Sequence, residues 1–201
     1  MIHPDAFIHP TAIIEEGVRI GAGTRVWDHA HIRRDARIGV DCIIGEKSYI
    51  AYEVVVGDRV KINSHVYLCA GVTLQDGVMV SAGTIFTNDR FPRAVTPDLE
   101  ALWPSEPDER TERTLVKEGA SIGVSTMIGP GLTIGRWAMV GMGAVLTAEV
   151  PDFALMMGHP ARRVGWCCRC GPRLAPGPAP VCAACGRRYL LEEGRLRERE
   201  D

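Results

Sequence analysis

The stretch Arg37-Ile38-Gly39-Val40-Asp41-Cys42-Ile43-Ile44-Gly45-Glu46-Lys47-Ser48 decides the fold. It is one hexapeptide written twice. An aliphatic residue (Ile38, Ile44) is followed at once by glycine (Gly39, Gly45) and four places later by a small residue (Cys42, Ser48). Stepping outward by six from this pair, the apolar position reads Ile8, Ile14, Ile20, Val26, Ile32, Ile38, Ile44, Ile50, Val56, Ile62, Leu68, Leu74, Val80 and Phe86. It resumes at Val116, Ile122, Ile128, Ile134, Val140 and Leu146. Its companions, from Ala12, Val18 and Thr24 to Ala144 and Val150, are small, β-branched or aliphatic throughout. With 46% of the chain apolar, an unbroken series of this length arises by chance on the order of once in a million. Strands repeat every two residues and helices every 3.6, so a strict six fits neither an ordinary sandwich nor a bundle.

A period of six suits short strands joined by tight corners, three to a coil of 18 residues, with coils stacked at the usual strand spacing of about 4.8 Å. About seven coils follow. Each buries its apolar face only against its neighbours, so the stack is stable collectively. The glycines after the apolar residue (Gly21, Gly39, Gly45, Gly57, Gly123, Gly129, Gly135, Gly141) are expected at the corners, in left-handed backbone. The spacing does not decide the handedness of the winding.

Composition narrows the function. The 201 residues carry a formal charge of −2, which argues against nucleic acid as a partner. No apolar run reaches the roughly 18 residues of a membrane span, and Met1 to Asp5 lacks the order of a signal peptide. A cytoplasmic protein is expected. Seven cysteines are many, and five lie between Cys167 and Cys185. In a reducing compartment such clustering points to a metal. Cys167-x-x-Cys170-Gly and Cys182-x-x-Cys185-Gly have the spacing of a closed four-thiolate zinc site. Cys168 competes with Cys167 for the first position. The expected organisation is a β-helix over 1–160, interrupted by an excursion loop over 87–115, then a zinc-ribbon-like tail over 161–201 that ends in a short charged helix.

Several strings resemble a known family. Phe86-Thr87-Asn88-Asp89-Arg90-Phe91-Pro92-Arg93, Thr114 to Gly123, and Val150-Pro151-Asp152-Phe153-Ala154 through Gly158-His159-Pro160-Ala161-Arg162 are similar to the hexapeptide-repeat 3-amino-sugar N-acetyltransferases of bacteria. Gly165-Trp166-Cys167 with its cysteine turns resembles the members that acetylate UDP-linked 3-amino uronates for surface polysaccharides. Asp89 after Asn88 instead resembles members using dTDP-3-amino-6-deoxy sugars. The resemblance implies an all-β, left-handed parallel β-helix, a homotrimer, acetyl-CoA as donor and active sites between subunits.

It also implies roles. Asn88 matches the residue whose side-chain oxygen orients the sugar amine; an Asn here equally caps a turn. Asp89 is a candidate acceptor from the amine, and His65 a candidate general base. Arg93 and Arg90 are candidates for a substrate carboxylate or diphosphate, or for loop ion pairs, and His31 for a sugar or nucleotide contact. For CoA, Ser125, Gly143 and Ala144 permit backbone hydrogen bonds along a groove, and Lys117, Arg162 and Arg163 are candidates for its 3′-phosphate. Two rival readings share the fold. A β-helix carbonic anhydrase needs three converging histidines, for which His29, His31 and His65 are the ones on the column. A non-catalytic scaffold needs none of these sites.

Overall fold

The computed structural model describes residues 1–104 and 106–199. The hexapeptides form a parallel β-solenoid whose strands are mostly two residues long. Each strand pairs with the one eighteen residues on: Phe7 with Arg25, Arg25 with Ile43, Ile43 with Lys61 and Lys61 with Met79. Met79 then pairs with Ser121, so the excursion loop is spliced between two coils without disturbing their register.

Three sheets result. The first face holds Phe7–Ile8, Arg25–Val26 and their successors in a nine-stranded sheet. The second holds seven strands from Ile13–Ile14 to Val145–Leu146, and the third six from Arg19–Ile20 to Thr133–Ile134. This three-sided hexapeptide column, with about seven coils and the beginning of an eighth, is the parallel β-helix expected from the repeat and of the left-handed class that the resemblance implies. No α-helix occurs among the described residues.

The period explains the core. The second residue of each strand points inward, so Ile32, Ile44, Ile50, Ile62, Leu68, Phe86, Ile122 and Ile128 are fully buried. Each such side chain contributes roughly 1.5–3 kcal/mol. The small companions fill the corners, and buried hydroxyls there stitch coil to coil. Thr24 Oγ1 donates to Gly39 O (2.8 Å) and accepts from the Cys42 N–H (3.0 Å).

The corners correct one expectation. Left-handed backbone falls three residues after the apolar position, not at the glycine beside it. His29, Asp35, Asp41, Lys47, Glu53, Arg59 and His65 all have φ between 54° and 62°. The glycines after the apolar residue serve close approach instead. A Cβ on Gly39 would sit 2.4 Å from the Gly57 carbonyl oxygen of the next coil, so coil stacking at this spacing excludes a side chain there.

The first face does not end with the repeat. Ala154–Gly158 pairs parallel to the last coil, and Ala161–Trp166 turns back antiparallel on it. The charged segment expected as a helix is a hairpin, Tyr189–Glu192 against Arg195–Glu198. Its turn, Glu193-Gly194, has positive φ at both residues (47° and 73°), the two-residue turn that matches strand twist. Glu200 and Asp201, also assigned to that helix, lie outside the described residues.

Candidate active site

Residues eighteen apart share an edge of the column, and this sorts the candidates. His29, Lys47, His65, Gly83, Ser125 and Gly143 line the edge between the first and second faces. Each N–H there is spent on the preceding coil: His65 on Glu46 O (3.0 Å), Ser125 on Ala82 O (2.9 Å) and Gly143 on Val124 O (2.8 Å). The carbonyls of Ser125 and Gly143 accept no hydrogen bond among the described residues. A Cβ on Gly143 would meet nothing within 4 Å, so the space beside it is open. Ala144 faces the core and gives its N–H to Gly141 O (3.3 Å). Arg162 lies beside this edge, one residue from the Gly158–Ala161 turn.

The other two expected phosphate cations are elsewhere. Lys117 belongs to the edge between the third and first faces. Arg163 turns to the tail, donating to Gly194 O (2.9 Å) with its guanidinium 4.2 Å over Trp166.

The edge between the second and third faces carries Arg34, Tyr52, Ala70 and then Asn88, where the loop departs. Asn88 Nδ2 donates to Ala70 O (3.2 Å), which fixes the amide, and its backbone carbonyl accepts the Glu112 N–H (3.0 Å). Oδ1 has no hydrogen-bond partner among the described residues. The amide borders a cavity of about 500 Å³ that also touches Asp89, Arg93, Trp103, Glu106 and Arg110. Asp89 closes a turn, its Oδ1 accepting the Phe91 N–H (2.7 Å). Arg90 forms the loop ion pair, bidentate on Glu112 at 3.2 and 3.0 Å. Arg93 has no carboxylate partner among the described residues and donates only to Pro92 O (3.0 Å). A larger cavity, about 1160 Å³, lies between the last coils and the tail hairpin. It contains Lys117 but no other candidate for the acceptor or donor.

The three histidines do not converge within the chain. His31 projects from the second face, bound to Glu15 (2.9 Å) and edge-on to Tyr49, which stacks on Tyr67 at 5.1 Å. His29 pairs with Asp28 (3.1 Å). His65 is exposed, on the same edge as His29 with Lys47 between them.

A polar cluster below Asn88 escaped the sequence reading. Glu15 forms an ion pair with Arg33 (2.5 Å), contacts His31 Nε2 (2.9 Å) and accepts the Arg34 N–H (2.9 Å). Burial works against its charge, but Arg33, the Arg34 amide and His31 outweigh it and hold the carboxyl down to about 2. Arg33 also donates to the Tyr49 and Tyr52 hydroxyls. The signal was available: Tyr49 and Tyr67 differ by one coil and must stack.

The tail brings four thiols together, with one change from the expected set. Cys168, Cys170, Cys182 and Cys185 have sulfurs all within 4.8 Å of one another, with neighbours at 3.3–3.7 Å. A zinc–sulfur distance of about 2.3 Å implies tetrahedral S–S separations of about 3.8 Å, so the donor set fits such an ion. Cys167 is not part of it. Its thiol is buried against Trp137 O and Phe153 O (both 3.3 Å), and burial pushes it up to about 11. Successive extended residues point to opposite sides, so only one of the adjacent pair reaches the cluster. The Arg187 backbone N–H and guanidinium hold Cys185 down to about 6. The Tyr189 hydroxyl lies 3.1 Å from Cys168 Sγ.

The hexapeptide-repeat models agree with this architecture. Residues 1–34 match the bacterial transferase hexapeptide model (six repeats), and 35–70 with 118–148 match the hexapeptide repeat of succinyl-transferase. Together they span about half the chain. The dTDP-3-amino-3,6-dideoxy-α-D-galactopyranose 3-N-acetyltransferase of Aneurinibacillus thermoaerophilus is 45% identical over 82 residues, 41% of this chain and 43% of that one. The match thus spans under half the length of that relative. Among solved structures, the acetyltransferase domain of PglB from Neisseria gonorrhoeae with acetyl coenzyme A is 22% identical, covering 81% of this chain and 56% of that one, with a TM-score of 0.48. PerB from Caulobacter crescentus with CoA and GDP-perosamine is 25% identical, covering 80% and 57%, with a TM-score of 0.45. The chain thus carries hexapeptide repeats of the transferase type over residues 1–70 and 118–148.

Proposed function

We propose that this protein is an acetyl-CoA-dependent N-acetyltransferase acting on the 3-amino group of a nucleotide-linked amino sugar. The observation that carries the reading is Asn88: an amide pinned through its nitrogen to Ala70 O, with its oxygen unpartnered at a cavity. A carbonyl oxygen there orients an amine by accepting one of its hydrogens. It does not act as a base. The amine nitrogen bonds to the thioester carbon, the C–S bond breaks, and the nitrogen's proton leaves with the CoA sulfur or to water. The free carbonyls of Ser125 and Gly143 suit the amide N–H groups of a pantetheine arm, and Arg162 suits a phosphate.

These two half-sites border opposite edges of the second face. From Gly83 to Asn88 the strand spans on the order of 16 Å, too far for reaction within one chain. A second copy, seated so that its first–second edge meets this Asn88, completes the site. The outward residues of the second face, Ile13, His31, Tyr49, Tyr67, Ile85, Met127 and Val145, include no Lys, Arg, Asp or Glu, whereas Arg25 and Lys61 mark the first and Arg19 and Arg37 the third. This supports a cyclic homotrimer. His65 of a neighbour then lies about one coil from Asn88.

Two acceptors have support. Resemblance in the tail, and Arg93 free for a carboxylate, favour a UDP-3-amino uronate. Asp89 and the Aneurinibacillus relative favour a dTDP-3-amino-6-deoxy sugar. Zinc in the Cys168, Cys170, Cys182, Cys185 set has a structural role in this reading, since four thiolates leave no open position. The test is release of free thiol from acetyl-CoA with UDP- and dTDP-linked 3-amino sugars. Turnover of one class is expected, and no turnover of any amino sugar overturns the reading.

A further inference from the structure

The excursion loop is tied to the column at two places. At its base, Asn88 Nδ2 donates to Ala70 O (3.2 Å) and Arg90 Nη2 to Pro130 O (3.4 Å), while Arg90 also grips Glu112 within the loop. The second tie is remote: Glu106 Oε1 lies 3.1 Å from Arg34 Nη2. Arg34 and Asn88 share one edge and are separated by Tyr52 and Ala70, so the loop reaches about 14 Å down the column, three coil spacings.

Arg34 is a prepared anchor. Its backbone N–H is held by Glu15 and its guanidinium stacks 4.5 Å over the Tyr52 ring, whose hydroxyl and face are also occupied by Arg33 at 4.1 Å. Glu106 lines the same cavity as Asn88 and Arg93. Between the ties the loop offers little packing of its own: Phe91, Leu99 and Leu102 are 79%, 78% and 77% exposed.

We infer that Arg34 and Glu106 are positioning residues for the acceptor: their ion pair latches the loop over the Asn88 cavity and sets its width. The inference rests on the acetyltransferase reading for its kinetic consequence, but the latch itself is independent of it. Both side chains are largely exposed, and exposed pairs are worth little. The expected effects are therefore roughly two- to fivefold.

Chymotrypsin, which cuts after the exposed Leu99 and Leu102, reads the latch without substrate. Arg34→Glu and Glu106→Arg should each speed cleavage of the full-length protein within this loop by that factor, and the double reversal should restore the wild-type rate. In turnover assays each single reversal should raise the acceptor KM by the same factor and leave kcat and the acetyl-CoA KM unchanged, with rescue in the double variant. Unchanged cleavage in the single variants, or a double variant as labile as either, overturns the latch. A restored cleavage pattern with no wild-type turnover of any amino sugar overturns the function and leaves the latch standing.

Discussion

The two edges that border the second face are written in one repeat and differ in what happens beyond it. On the first–second edge the repeat runs through uninterrupted. Its last corners are small, Gly83, Ser125 and Gly143, and the carbonyls of Ser125 and Gly143 accept no hydrogen bond among the described residues. On the second–third edge the repeat breaks at Thr87, a 24-residue insertion emerges, and side chains replace backbone as the recognition surface. In the proposed reading the regular edge takes the long, flexible cosubstrate. The interrupted edge suits the group that distinguishes one member from another.

Substitutions on the two edges should separate these roles. Asn88→Ala is expected to lower kcat by about a hundredfold, the scale of a misoriented reactant, with assembly and CoA affinity unchanged; turnover kinetics with size-exclusion chromatography check both. Gly143→Trp should weaken CoA binding at least about tenfold by calorimetry. The backbone tolerates it, since Trp137 already holds φ 54° at the equivalent corner position, one edge earlier; the strain is about 1–2 kcal/mol. Elemental analysis should find one zinc per chain, lost in Cys168→Ser and retained in Cys167→Ser.

Smaller effects follow at the foot of the acceptor edge. The Glu15 carboxyl is held at about 2, below its usual 4.5, so its contribution to stability is present above pH 4.5 and lost as pH falls toward 2. Glu15→Gln should lower Tm by roughly 2–4 °C at pH 7, and thermal melts should converge with wild type near pH 2. His65→Gln should reduce kcat less than about fivefold, because the departing sulfur takes up the proton. Loss of the acid limb of the kcat/KM profile together with a hundredfold fall would instead make His65 the base.

Much of this was legible in the sequence because the solenoid is one-dimensional. A residue's face and edge follow from its position modulo eighteen, which put Ile62 in the core and His29 and His65 on one edge. Where two physical demands compete for one residue type, the reading went astray. Glycine meets both left-handed corners and close stacking, and Gly39 serves the second. Spacing favoured Cys167, which stands in the C-x-x-C turn, but neighbouring residues face opposite ways and it is Cys168 that reaches the cluster. The tail's run of charge suggested a helix, although Glu193-Gly194 between Leu191 and Leu196 carried the hairpin signal. The Arg34–Glu106 contact joins residues 72 apart across a non-repeating loop, so no period announces it.

The central claim is that the acceptor and donor halves of each site come from different chains. Co-expressing Asn88→Ala and Gly143→Trp chains under separate tags, then isolating mixed assemblies, tests it most directly. At acetyl-CoA levels well below the Kd of the Gly143→Trp chain each parent keeps at most about a tenth of wild-type turnover, but in a cyclic trimer holding both kinds of chain a site drawing Asn88 from one chain and Gly143 from its neighbour is intact at roughly one interface in three. Recovery of about that fraction of wild-type turnover is the predicted result. Mixed assemblies no more active than either parent would contradict it.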